Sequence, residues 1–498
     1  MTQLPCADLD VVGRFAESLR AAVFTTAGID DHLGADVSAS LTGGVSWPAV
    51  AAVDDGRPLS TLIALFLLGL SRPAEEVAAA LPGVGVDELV AQGIVGLDGG
   101  AVVPILDVRP YADDAGEYTV FADQDSGRRS GTLAVDHVLG IGGASISLAR
   151  AVIRRPVGRA LDLGTGCGVQ ALHLGAHCEE IVATDTNERA LALAAATARA
   201  SGQRWDLRRG GLFEPVEGER FDLIVSNPPF VIGSGSQDYI YRDSGVAADG
   251  LCARLIAELP DHLNPGGTAT VLANWAVADP DDWAARPREW LARTGLDAWV
   301  VQRELADPIS YVSLWLADAG ESPARSAHRG REWLDYFADA GIVAVGMGVL
   351  TLRRPSGAGA GGRFQIVEEI TGAGEEVTGD EARAFFDRQD FLAAHSDDEL
   401  MGMRLSAMPV VLEEQSLLGE SGWQTVGSAL RRPGGPGAVL ALDEVSRALV
   451  AGCRGQVELT DLVALLAAHQ GVDADALARA ALPVVREAIA RGILYRAV

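Results

Sequence analysis

The chain contains no lysine. All 40 of its basic residues are arginine, set against 68 acidic residues, and the net charge is −28 over 498 residues. Without a lysine amine, Schiff-base chemistry and P-loop phosphate binding are excluded. The acidic balance repels a phosphate backbone globally, so an extended nucleic-acid footprint would need arginines gathered on one face. Cysteine is scarce: the five, at 6, 167, 178, 252 and 453, have no paired spacing. That pattern fits a reducing cytoplasm and argues against a zinc site. Long apolar runs are missing too. "STLIALFLLGL" (60–70) falls well short of the roughly 20 residues of a membrane span and is expected to form a buried helix. The start "MTQLPCADLD" has no basic region followed by an apolar one, so no signal peptide is expected. A cytoplasmic protein with no membrane partner is the expectation.

A hydrophobic content of 48% with 22% charged residues describes globular protein, and the length implies two or three domains. There is no short-period repeat. Residues 1–110 read as mostly helical. "VDELVAQGIVGLDGGAVVPILDV" gives a helix, a glycine turn and a short hairpin, as in a winged-helix-like module or a plain helical cap. From 111 to 355 strands alternate with helices: "GRALDLG", "VQALHLGAH", "EIVATD", "NERALALAAATARASG", "FDLIVSN". That rhythm predicts an open, mostly parallel sheet covered on both faces. The glycine-rich "RRPSGAGAGGR" (353–363) marks a boundary. Residues 356–498 are expected to hold a strand-like "RFQIVEEI", an irregular acidic middle and helices ending in a second winged-helix-like segment. This part carries 12 basic and 21 acidic residues, a net −9, which favours protein contact or dimerisation over DNA reading.

"ALDLGTGCGVQAL" (160–172) is a strand, a glycine turn and a helix. Gly164, Gly166 and Gly168 allow a sharp turn and close approach to a ligand. The acid Asp162 stands two residues before the first glycine. It would serve a pyrophosphate poorly and a cationic amino-acid moiety well. Asp185 ends the next strand, where it can accept from both hydroxyls of a ribose. "SNPPF" then closes a third apolar run at Asn227-Pro228-Pro229-Phe230.

Together, "LDLGTGCG", "ATDTN" and "SNPPF" resemble the class I S-adenosylmethionine-dependent methyltransferases, over about 120–355. The resemblance implies a Rossmann-like, doubly wound, seven-stranded α/β domain; the residue patterns on either side add mainly helical, winged-helix-like N- and C-terminal domains. It implies S-adenosylmethionine as cofactor, held by Asp162, Gly164, Thr165, Gly166, Gly168, Asp185, Thr186, Asn187, Gly211, Leu212 and Asn227. In "GGLFEP", where the family commonly offers an acid or polar residue to the adenine amine, this chain has Gly211 and must use Leu212 or its backbone. "VDHVLGIGGASISLA" (135–149) stands where relatives close over the methionine end of the cofactor.

The corner Asn227-Pro228-Pro229-Phe230 is expected to be catalytic. The Asn227 side-chain oxygen and the Pro228 carbonyl can each accept one N–H of a planar –NH2, aiming its lone pair at a methyl donor. The prolines, Pro229 included, hold the corner without needing N–H partners, and Phe230 offers a stacking face. No general base is required, so His137 and His173 are expected to be structural. The acceptor is a protein glutamine or a small amine by charge, "AADGLCARLI" resembling release-factor glutamine methyltransferases. An RNA guanine N2 or adenine N6 acceptor is the alternative, with arginine pairs at 128–129, 154–155, 208–209 and 353–354 as phosphate contacts. From another class stands a non-catalytic regulatory protein that senses the cofactor. A homodimer through the flanking domains is a further expectation.

Overall fold

The computed structural model describes residues 4–125, 134–235, 240, 241, 243, 245–318, 322–357, 364–372, 374–420 and 422–497. The arginine pair at 128–129 and most of the glycine-rich break lie outside the described residues. The chain divides into two compact units. One holds 1–149, 155–294 and 305–347; the other holds 150–154, 295–304 and 348–498.

In the first unit, helix Leu9–Ala21 starts where Asp8 accepts from the amides of Asp10 and Val11, satisfying donors a helix start leaves open. Its buried stripe, Val12, Phe15, Ala16 and Leu19, recurs at helical spacing. Phe15 meets Phe66 at 5.7 Å and Phe121 at 6.1 Å between ring centroids. The 60–70 run is the buried partner: helix Pro58–Leu62 passes into a π-helical turn, Ile63–Leu67. No described helix is long and apolar enough to cross a membrane. The expected helix and hairpin appear as Val86–Ala91, Val95–Asp98 and Ala101–Pro104. One hydrophobic core runs from these helices through hairpin Leu106–Asp113/Gly116–Asp123 to helix Glu188–Ala200.

The central sheet has eight strands: β1 Val157–Leu163, β2 Cys178–Asp185, β3 Asp206–Arg209, β4 Phe221–Ser226, β5 Leu263–Val277, β6 Asp297–Ala306, β7 Ala344–Arg353 and β8 Gln365–Glu369. Their order is β8-β6-β7-β5-β4-β1-β2-β3, and the pairs β1–β2, β1–β4, β4–β5, β2–β3 and β6–β8 are parallel. This is a Rossmann-like doubly wound sheet whose order reverses beside β1, the switch point where such sheets bind ligands. The expected count of seven strands needs correction. "RFQIVEEI" supplies an eighth, because Ile366 and Val367 pair in register with Trp299 and Val300 and Trp299 Nε1 donates to Glu368 at 2.7 Å. The Gly-rich stretch before it had suggested that the sheet ended at β7.

The acidic middle of the second unit is likewise not irregular. Thr378 caps helix Gly379–Ala394, and Val411–Gly419, Gly422–Arg431 and Val439–Leu442 form an antiparallel sheet. Helices Glu444–Gly452, Leu459–Gln470 and Ala474–Ala490 bury Leu449, Val463 and Val485 in one core with Leu430 and Leu440. A second small sheet orders Arg454–Glu458, Arg404–Ala407 and Leu494–Arg496.

The loop after β4 is pinned by Tyr311 of helix Pro308–Asp318, a helix not expected from the sequence. The buried Tyr311 hydroxyl accepts from Ile232 N and from Asn274 Nδ2, both at 2.9 Å. Trp333 Nε1 donates to the Ile232 carbonyl at 2.8 Å. Tyr311→Phe strands two buried donors at about 1–3 kcal/mol each. The denaturant midpoint should therefore fall by the equivalent of about 2–6 kcal/mol at unchanged m-value. An unchanged midpoint would mean that the loop is held by something else.

Candidate functional site

Register brings the site together. Leu163 of β1 pairs with Thr184 of β2 and with Ser226 of β4, so the three strands end at one level. Gly164, Asp185 and Asn227 follow side by side at their carboxyl ends. The turn after β1 takes positive φ at Gly164 (76°), Gly166 (55°) and Gly168 (90°), a region that costs other residues dearly. At Gly168 a Cβ would also stand 2.5 Å from the Trp205 ring, whereas at Gly166 nothing lies within 4 Å. The open side of the turn is therefore at its middle glycine.

Asp162 is fully buried. Its Oδ2 accepts from Thr165 Oγ1 at 2.6 Å and from Ala171 N at 3.1 Å, which closes the turn onto the following helix. Its Oδ1 is buried with no hydrogen-bond partner. Burial pushes the carboxyl pKa up to about 7, against the pull of the Thr165 and Ala171 bonds. Such an oxygen can take a cationic group or a water bound to one.

Asp185 accepts from Gly166 N at 2.9 Å through Oδ2 and from Asn187 N at 2.8 Å through Oδ1. Burial raises its pKa, offset in part by those amides. Both oxygens keep a second lone pair for a diol. Thr186 is exposed beside it, and a Cβ at Gly211 would stand 3.7 Å from its methyl. Leu212 is held at φ 45°, a conformation that costs a branched side chain about 1–3 kcal/mol. Asn187 is occupied structurally: Oδ1 caps the next helix through Arg189 N, and Nδ2 donates to the Asp136 carbonyl at 2.9 Å. That bond ties the 135–149 segment to the rim of the turn.

The corner follows β4 directly. Pro228 is buried, while Asn227, Pro229 and Phe230 are half-buried. The side-chain oxygen of Asn227 is buried without a partner. Phe230 stands edge-on to Trp315 at 6.3 Å. Just past it, Val231, Gly233 and Gly235 line a cavity of about 520 Å³ whose far wall is Arg325, Trp333 and Tyr336 of helix Pro323–Asp339. Two unpartnered acceptors, on Asp162 and Asn227, thus stand at adjacent strand ends.

Residues 141–281 match the methyltransferase small domain. The matched segment holds every cofactor and corner residue expected above. Two domains of unknown function match the flanks, DUF7059 at 21–105 and DUF7782 at 383–496. Among curated proteins, the chain is similar to the release factor glutamine methyltransferase of Xylella fastidiosa strain Temecula1. They are 36% identical over 161 residues, covering 30% of this chain and 56% of that protein. The ribosomal RNA small subunit methyltransferase C of Alcanivorax borkumensis is 31% identical over 117 residues, covering 24% of this chain and 32% of the relative. The ribosomal protein uL3 glutamine methyltransferase of Bradyrhizobium diazoefficiens is 34% identical over 124 residues, 22% and 39% of the two chains. The chain spans about half or less of these relatives' lengths.

Other expected residues lie elsewhere. His173 bridges Asp113 Oδ2 and the Tyr111 hydroxyl, both at 2.9 Å, and His137 is buried beside Asp123. Asp249 precedes helix Gly250–His262 and is held by Arg286 at 2.5 Å. Arg208 pairs with Asp206 and Glu219, Arg209 with Glu188, and Arg353 with Asp297 and Asp390. Arg155 donates to the Gly266 carbonyl. These arginines serve the fold. No cluster of metal-ligating side chains occurs among the described residues. The Tyr311–Trp333 clamp escaped the sequence reading; its one signal was a tyrosine on an otherwise apolar helical face.

Asp162 yields a pH prediction. Its folded-state pKa of about 7 lies above the ordinary 3.8, so the folded state holds this proton more tightly than the unfolded chain. The parent therefore loses stability as pH rises between these values, and the effect is constant above them. Asp162→Asn mimics the neutral acid. Its melting temperature, relative to the parent, should rise between pH 4 and pH 7 and then level. A difference independent of pH would remove the buried charge from the account.

Proposed function

We propose that the chain is an S-adenosylmethionine-dependent methyltransferase acting on a planar amino or amide nitrogen, with a protein glutamine or small amine as acceptor. The observation that carries this reading is the buried, unpartnered Asn227 oxygen at the end of β4. A sensor of the cofactor has no use for an amide acceptor beside a proline corner. The match to the methyltransferase small domain supports the class of reaction, and the names of the relatives support nitrogen acceptors.

When bound, S-adenosylmethionine supplies an electrophilic methyl on a sulfonium. The Asp162 Oδ1 receives the ammonium end or its water, Asp185 accepts from the ribose hydroxyls, and Gly166 leaves room for close approach. Thr186, Gly211 and Leu212 border the same side. Asn227 Oδ1 and the Pro228 carbonyl accept the two N–H groups of the acceptor. This pulls its nitrogen away from planarity and directs the lone pair along the transfer line. Pro229 fixes the carbonyl, and Phe230 stacks on the flat group. On attack the nitrogen would become cationic as the methyl–sulfur bond breaks and its electron pair returns to sulfur, and the proton would pass to water, so no side chain is needed as base.

A protein or small-molecule acceptor is preferred because Arg208, Arg209 and Arg353 are engaged by carboxylates and the chain carries −28. An RNA guanine is the second reading, favoured by Phe230 and by the relative named for ribosomal RNA. The segments 1–110 and 356–498 act as accessory, winged-helix-like segments flanking 111–355 in sequence, the C-terminal one also lending strand β8 to the central sheet, and the protein works in the cytoplasm.

Asn227→Ala should keep cofactor affinity within about twofold while turnover falls by about 10²–10³. Labelled methyl transfer into a cell extract, with and without ribonuclease, reads both turnover and acceptor. Label in protein that survives ribonuclease and is lost in the variant is expected. Full transfer by the variant would reduce the corner to a structural turn.

Asp185→Ala removes two ribose hydrogen bonds worth about 1–1.5 kcal/mol each, so cofactor affinity should drop by roughly 30- to 150-fold. Unchanged affinity by calorimetry in a folded variant would refute the ribose assignment.

A further inference from the structure

Among the described residues, nothing covers the outer strand of the C-terminal hairpin. Val411–Gly419 pairs on one side with Gly422–Arg431, and all nine of its residues are exposed. It forms one edge of its three-stranded sheet. Such an edge presents a row of backbone donors and acceptors, and proteins usually guard it with lysine, proline or inward charge. "VLEEQSLLG" has no proline and no basic residue. The apolar load near the turn is large: Leu417, Leu418 and Trp423 are 65%, 68% and 73% exposed.

The two faces of this hairpin differ. Leu412 stands opposite Leu430, and Leu430 opposite Leu440. That row runs inward into the buried C-terminal core. Leu418 stands opposite Trp423; the register shift between Gln415 and Ser416 places its extra residue, Val426, on the inner strand, so alternation is kept along Val411–Gly419 and Leu418 shares a face with Leu412. One face thus has a covered end and an uncovered end. Glu413 and Glu414, the acids of the strand, are neutralised by Arg431 at 2.7 Å and Arg447 at 2.9 Å.

We propose that Val411–Gly419 pairs antiparallel with the same strand of a second copy of this chain, about a two-fold axis through Gln415. In that register Leu412 of each copy faces Leu418 of the other, Glu413 faces Leu417 and Glu414 faces Ser416. No acid opposes an acid, and leucine meets leucine. A register one residue earlier, centred on Glu414, would set two glutamates against each other. The Gln415 register also joins the rows. Trp423 and Leu418 of one copy continue across the junction into Leu412, Leu430 and Leu440 of the other, so the exposed end of each hairpin extends its partner's core. The two three-stranded sheets become one of six strands, and both unpaired edges disappear.

The test uses the full chain. Sedimentation between 1 and 50 μM should give a dimer. Leu412→Lys with Leu418→Lys sets like charges across the junction and should weaken the dimer at least tenfold. Leu412→Lys with Leu418→Glu sets opposite charges there and should restore it. Gln415→Cys should form a disulfide-linked dimer on mild oxidation, since facing residues of antiparallel strands lie about 4.5–5.5 Å apart at Cα. Gln424→Cys, which is three strand spacings from its copy, should not. All variants are on exposed positions, and circular dichroism checks their fold. A monomeric parent over this range would overturn the proposal and leave the edge to a strand of another protein. A dimer indifferent to both charge pairs, or equal crosslinking at 415 and 424, would also overturn it.

Discussion

The Asp162 carboxylate is the constraint on which the rest of the site depends. One oxygen draws Thr165 and Ala171 together, fixing both the glycine turn and the start of the helix behind it. The other is left buried and unpartnered. A protein that buries an ionisable oxygen without a partner gives up stability for it. The arrangement is economical only if something cationic arrives. The same turn carries Gly166, whose amide holds Asp185, so one loop orients both acids.

Strand register extends this to the Asn-Pro-Pro-Phe corner. Because β1, β2 and β4 end level, Asn227 comes next to the turn without a long loop to carry it. The loop beyond Phe230 would be free to wander, but Tyr311 and Trp333 pin Ile232 from both its amide and its carbonyl. These clamps come from the two helices between β6 and β7. That insertion thus gives the Asn-Pro-Pro-Phe corner a wall and a neighbouring cavity.

What was legible in the sequence was whatever depends on local spacing. Asp162, the three glycines, Asp185 and the Asn-Pro-Pro-Phe corner sit at strand ends where apolar runs stop, and short-range pattern is enough to find them. What was not legible depends on long-range pairing. β8 follows a glycine break, and only its register with β6 makes it part of the sheet. The hairpin at 411–431 looked irregular because Glu413 and Glu414 interrupt its alternation; their partners, Arg431 and Arg447, lie 18 and 33 residues away. Tyr311 gives no local sign that its hydroxyl serves a loop 79 residues earlier.

The most direct measurement of the central claim is calorimetric titration of the full chain with S-adenosylmethionine at pH 6, repeated in two buffers of different ionisation enthalpy. Asp162 is largely protonated there in the free protein, and a cationic ligand at its Oδ1 must favour the carboxylate. The account predicts one site per chain, with a proton released on binding and the release abolished in Asp162→Asn. Binding with no proton release, or release that persists in the variant, would contradict it.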